Sequence, residues 1–151
     1  MPMTIATLLS EFDLEMANTR KVLASVPADK FEWAPHAKSS TLGKLVNHLA
    51  AMPSLAAAVI NGHAKRMPEA SSKAELLDAF DKNFPAAREA VAQASDEHLC
   101  AFLPAINMTR EAVLRNRVMS HMIHHRGQVT VYLRLLGVPV PGMYGPSADE
   151  K

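Results

Sequence analysis

Three of the seven histidines in this chain fall within five residues, in Ser120-His121-Met122-Ile123-His124-His125-Arg126-Gly127-Gln128. The surrounding residues are compatible with a long helix. His121 and His125 stand four apart, so on a helix they share one face. A third histidine, His48, sits in the apolar series Leu45, His48, Met52, Leu55, Val59, which steps by three and four. An uncompensated buried polar group costs about 1–3 kcal/mol, so three imidazoles in apolar seams call for a shared partner. Zinc and similar divalent ions take neutral imidazole nitrogens at ~2.0–2.1 Å. A pair at spacing four plus one from a facing helix makes a three-ligand set. Its fourth position stays open to water or substrate, the pattern of a catalytic rather than a structural zinc site. The plainer reading is three separate core histidines, each with its own hydrogen bond. His124 shares a face with His121 but is offset from the seam, which places it beside the ligand set.

The neighbouring residue types narrow the chemistry. Met122 stands where a His-Glu-x-x-His protease carries its glutamate, so that general base is missing. No Asp or Glu falls on either histidine seam. A metal-dependent hydrolase would need an acid from a loop, such as Glu32 or Glu69. Thiol chemistry needs no such base, because a bound cation lowers a thiol pKa directly. Cys100, the one cysteine, lacks a catalytic partner pattern and reads as a small packing residue. His36, His63 and His98 lie in loops or near helix ends and read as solvated, with His63 nearest the mouth of a pocket.

Four helical segments must position these groups. The first runs from Thr4 to about Val26, with Leu8, Leu9, Phe12, Met16 and Leu23 inward and Glu11, Glu15 and Arg20 on other faces. A loop carrying Phe31 and Trp33 follows and covers one end of the core. The second helix starts at a cap among Ser39, Ser40 and Thr41 and ends at Asn61-Gly62, with Pro53 expected to bend it. Ser72-Lys73-Ala74-Glu75 is a capping box for the third, which runs to about Ala94 and contains Pro85. Thr109 caps the fourth, and Gly137 ends it. Its seam is Leu114, Val118, His121, His125, Val129 (or Gln128), Tyr132, Leu136. A second stripe, Met119, Ile123, Gly127, Val131, implies burial on two sides, with Gly127 allowing close backbone approach. The tail 138–151 is irregular and is expected to fold back over one end of the bundle. The connectors, about ten to fourteen residues each, exceed those of tight helical hairpins, so the pattern leaves the topology open.

Composition bounds the rest. The 151 residues suit one domain, 48% of them are apolar and only 5% aromatic, which favours helices over strands. A net charge of +1 without a long single-sign run gives no footprint for nucleic acid or a membrane surface. The uncharged run 49–60 is too short to span a bilayer and carries Pro53. A single cysteine and no signal-peptide pattern point to the cytoplasm.

The blocks Leu45-Val46-Asn47-His48-Leu49-Ala50 and His121-Met122-Ile123-His124-His125-Arg126-Gly127-Gln128 resemble the DinB/YfiT-like family. Tyr132-Leu133-Arg134-Leu135-Leu136-Gly137, Pro139, Tyr144-Gly145 and Trp33 extend the likeness over most of the chain. The resemblance implies an all-α four-helix bundle in up-down-down-up order, a homodimer, and a metal triad of His48, His121 and His125. The implied metal is divalent (zinc, nickel or iron). The implied activity is a thiol S-transferase-like detoxification or stress reaction on a small-molecule substrate, with a low-molecular-weight thiol as co-substrate. Asn47, His124, Arg126, Gln128 and Tyr132 are the candidates for contacts around the ligands or the substrate. A non-enzymatic, dimeric metal-binding stress protein and a metal-dependent hydrolase are the alternatives.

Overall fold

The computed structural model describes residues 5–63 and 68–150. Its elements are α1 (Ile5–Ser25), α2 (Leu42–Asn61), α3 (Lys73–Gln93), the short α4 (Asp96–Cys100), a two-stranded ribbon of β1 (Phe102–Leu103) and β2 (Met108–Thr109), α5 (Arg110–Val113), a π-helical stretch at Leu114–Ser120, and α6 (His121–Leu135). Thr4, the expected start of the first helix, lies outside the described residues. The expected fourth helix is thus one rod of three parts, and the ribbon before it, absent from the sequence reading, is antiparallel.

Local chemistry sets the helix ends. The Thr41 hydroxyl accepts from the Lys44 N–H, and the Ser72 hydroxyl accepts from the Glu75 N–H, each freeing the helix from one unpaired donor. The Glu75 carboxylate reaches back to the N–H of Ser71 at 2.8 Å, one residue earlier than a standard capping box. Thr109 caps α5 through the Ala112 N–H. At the end of α6, Gly137 N–H donates to Arg134 and Val138 N–H to Leu133, a Schellman closure with Gly137 at φ +71°. Pro53 and Pro85 both lie inside unbroken helices.

Side-chain pairs give the topology. Arg20 meets Asp81 and Arg88 meets Asp13, so α1 and α3 are antiparallel. Glu11 meets Arg115 and Glu15 meets Arg126, so α1 runs parallel to the last rod. Ser40 lies beside Tyr132 and His48 beside His121, so α2 opposes α6. Asn47 near the start of α2 holds Ala70 just before α3, and Ile60 near its end holds His98 just after α3, so α2 and α3 are parallel. The order is up, down, down, up. Among the described residues α2 is the helix long and apolar enough to cross a membrane, and half of that stretch is buried within the bundle, as in a core helix.

The core unites Phe12, Met16, Leu49, Leu76, Phe80 and Leu133 in one cluster. Close backbone approach occurs at Gly43, not Gly127. The Gly43 N–H donates to the Phe31 carbonyl at 2.7 Å, and a Cβ there would meet that oxygen at 2.9 Å. This contact seats the 27–40 loop, whose Trp33 packs edge-on against Tyr132 at 5.5 Å between ring centroids. Gly127 has open space around it. Of the second stripe only Met119 is buried, and Ile123 and Val131 are exposed. Cys100 is exposed as well, because the single buried position of α4 goes to Leu99.

Glu15, expected on an outer face of the first helix, and Arg126, a candidate for contacts around the ligands or substrate, are buried together. The most buried face of α6 is Met122, Arg126, Val129, Leu133, one residue on from the histidine seam. Arg126 donates to the Glu15 carboxylate at 2.6 Å, the Glu15 carbonyl at 2.9 Å and the Thr19 hydroxyl at 3.2 Å. It also donates to the Tyr144 hydroxyl, which in turn donates to Glu15 at 2.8 Å. The tail therefore lies along α1 and α6, held additionally by Arg134 on Asp149. The Arg126 and Glu15 side chains are only 3% and 7% exposed. Removing one partner of such a pair strands the other charge. Arg126→Met should cost about 3–5 kcal/mol in denaturant unfolding, and a loss under about 1 kcal/mol, the level of an exposed pair, would contradict this account.

Candidate metal centre

His48 projects from the second turn of α2, where Leu45 and Leu49 pack inward on either side of it. His121 opens α6 directly after the π-helical stretch, and His125 follows one turn later. The wider π turn is a device that helices use at functional sites, and here it sets the phase at which α6 begins. Antiparallel packing of α2 on α6 then places all three side chains at one point.

The Nε2 atoms of His48 and His121 are 3.1 Å apart, and those of His121 and His125 are 2.6 Å apart. The ring centroids lie 4.5–4.9 Å from one another. All three rings are partly buried, and one nitrogen from each lies within 4.8 Å of the others. Gln128 Oε1 stands 2.7 Å from His125 Nδ1. A carbonyl oxygen only accepts, so that Nδ1 carries a proton, and in the neutral imidazole, the form that ligates, the lone pair is then on Nε2. His121 Nε2 then faces two nitrogens with one hydrogen-bonding function. Only one of its two contacts can be an ordinary hydrogen bond. A cation among the three nitrogens satisfies every lone pair, so the residues fit a divalent metal.

Electrostatics act in the same direction. Burial first, then the nearby His125 and His121, pushes the His48 imidazole below its ordinary pKa. Burial, then His125 and His124, does the same to His121. Both therefore stay neutral, the form that ligates.

The other candidates take separate places. Gln128 is the one that hydrogen-bonds a triad histidine. His124 is exposed, its ring tilted against His125 at 5.0 Å. Asn47 spends its amide on Gly43 and Ala70, and the Tyr132 hydroxyl donates to Ser40 at 3.2 Å, so both hold loops in place. Arg126 turns away to Glu15. Glu32 and Glu69 stay exposed, and among the described residues no carboxylate joins the histidine group. His98, expected in solvent, is partly buried and bonds the Ile60 carbonyl at 2.9 Å. Beside His121 opens a cleft of about 590 Å³ between the end of α2 and the ribbon, α5 and π segment. Arg110 and Arg117 line it, and the sequence reading did not single them out. Their signal was the series Arg110, Arg117, His121, whose steps of seven and four share a helix face.

A mainly helical bundle in this order, with a histidine from the second helix facing a pair on the last, fits metal binding. The DinB family model matches residues 1–151, and the chain belongs to the DinB family. It is 25% identical to the uncharacterized protein YrdA of Bacillus subtilis (strain 168), over 97% of this chain and 92% of that one. A crystal structure of a DinB-like protein from Bacillus cereus ATCC 10987 superposes with a TM-score of 0.80 at 26% identity, covering 95% of this chain and all (100%) of the other. A DinB-like protein of Bacillus subtilis, YjoA, shares the fold with a TM-score of 0.70 at 22% identity, over 87% and 94% of the two chains.

Protons and metal compete for the same nitrogens, which gives a pH dependence with a definite sign. The folded pKa values of His48 and His121 lie below the ordinary 6.5. Zinc affinity, measured by chelator competition, should hold down to about that pH and fall steeply below it. A fall that begins well above 6.5 would contradict the depressed values.

Proposed function

We propose that this protein is a divalent-metal-dependent thiol S-transferase that joins a low-molecular-weight thiol to a small electrophile. The observation that carries the reading is three converging imidazoles that, among the described residues, no carboxylate joins. His48, His121 and His125 would hold the metal (zinc, nickel or iron). When bound, the ion would supply Lewis-acid activation, lowering the pKa of a thiol brought to it. Gln128 fixes the ring and tautomer of His125, so its Nε2 points inward without rearrangement. The cleft beside His121 offers apolar walls for the body of an organic substrate. A hydrolytic reaction would need a proton acceptor beside the metal, and the missing carboxylate favours thiol transfer over it. In the transfer itself the thiol sulfur forms the new bond to carbon, the electrophile's leaving group departs, and the thiol proton goes to solvent.

Dimerisation in the cytoplasm belongs to the same proposal. Ile123, Gly127, Val131 and Leu135 follow one another in steps of four along the outside of α6. Val131 and Leu135 are 57% and 61% exposed, and Gly127 leaves room for a second helix to come close. Two copies packed on this stripe would bury it.

Turnover of a chloronitroarene with several cysteine-derived thiols, with and without added metal, tests the chemistry. Product formation should require metal and should disappear in His121→Ala. A metal-loaded protein that consumes no electrophile with any thiol would leave a non-enzymatic metal protein in its place. Val131→Glu should convert a dimer to a monomer in sedimentation analysis, and an unchanged sedimentation coefficient would refute an α6 interface.

A further inference from the structure

The cleft beside His121 carries a charge pattern that a thiol and a chloroarene alone do not require. Its walls include Leu55 and Val59 of α2, with Ile106 and Val113 opposite. Arg110 and Arg117 line the same space, and among the described residues no Asp or Glu does. Among the described residues, Arg20, Arg88, Arg115, Arg126 and Arg134 are each met by a carboxylate. Neither Arg110 nor Arg117 has such a partner among the described residues. The Nε–H of Arg110 is buried and has no acceptor. Buried donors are rarely left orphaned in folded proteins, so an acceptor belongs there. Arginine's planar fork matches a carboxylate with two parallel hydrogen bonds, and apolar walls beside it suit a short hydrocarbon body.

We propose that this cleft is a carboxylate-binding subsite. Arg110 and Arg117 hold the anionic end of a small amphiphilic organic acid whose other end lies toward His121. The inference deepens the thiol-transfer reading and rests on it only for which co-substrate brings the acid. Cysteine-derived thiols carry carboxylates, and so do many electrophilic organic acids. The subsite selects between charged and neutral versions of the same molecule, because only the carboxylate offers a charged pair of acceptors to the guanidinium forks.

Calorimetric titration of the full chain with phenylbutyrate and with phenylbutanol reads the subsite directly, without turnover. The carboxylate should bind about tenfold tighter or more. Arg110→Gln and Arg117→Gln should each remove most of that preference and leave phenylbutanol binding nearly unchanged. Arg117 is exposed, so its variant keeps the test intact should the Arg110 variant fold poorly. Equal binding of acid and alcohol, or a preference unchanged in Arg117→Gln, overturns the subsite. Where turnover is present, mercaptopropionate is compared with mercaptoethanol, and chloronitrobenzoate with chloronitrobenzene. A KM rise in Arg117→Gln confined to one carboxylated partner supports the subsite and assigns it to that partner. No rise for either overturns it. Absence of turnover refutes thiol transfer and leaves the titration result standing, so the two failures can be told apart.

Discussion

The antiparallel pair α2 and α6 brings three imidazole nitrogens to one point, and each nitrogen can offer a proton or a lone pair but not both. That constraint governs the site. Gln128 settles His125 as a lone-pair donor, and His121 then stands between two nitrogens it cannot serve together. Neutrality of His48 and His121 removes the charge repulsion that would otherwise drive the rings apart. A shared cation resolves the conflict in a way that water or a rotated ring does not, because it meets all three lone pairs at once. The register between α2 and α6 is therefore the quantity that the rest of the bundle has to protect.

Several contacts protect it. Gly43 lets the Phe31 loop sit down on α2, and Trp33 and Tyr132 then lock the loop to α6 on the far side of His125. Arg126, adjacent to His125, points the opposite way and fastens α6 to Glu15 of α1 and to the tail. Its buried pair fixes the rotation of α6 about its axis, so that Met122 and Val129 face the core while His121 and His125 stand at its margin. A triad at the margin stays open to a small molecule, which a fully buried one would not admit. The cleft with Arg110 and Arg117 opens at that margin.

The His121 and His125 pair is legible because it depends on local spacing, and His48 because it sits in register on its own helix. Steps of three and four survive folding whenever a segment is helical, and the three histidines picked out by register are the three that the fold brings together. The helix ends were legible for the same reason, since Thr41, Ser72, Thr109 and Gly137 act on residues within one turn. What failed depended on partners far along the chain. Glu15 looks like a surface charge and Arg126 like a contact of the histidine site until α1 and α6 are laid side by side. Gly127 looked like a contact point, yet the contact formed at Gly43, where a loop rather than a helix closes in. The order up, down, down, up rests on Arg20–Asp81, Arg88–Asp13 and His98–Ile60, pairs with no signature in sequence spacing, and in the sequence only the family resemblance implies it. The π-helical turn before His121 carries no propensity signal at all.

The central claim is that His48, His121 and His125 bind one divalent ion with a position left over. X-ray absorption fine structure of tag-free, metal-reconstituted protein measures this most directly. The account predicts three imidazole nitrogens at ~2.0–2.1 Å and one further light-atom ligand for zinc. A shell with fewer than three imidazoles, or one dominated by oxygen or sulfur, would contradict it.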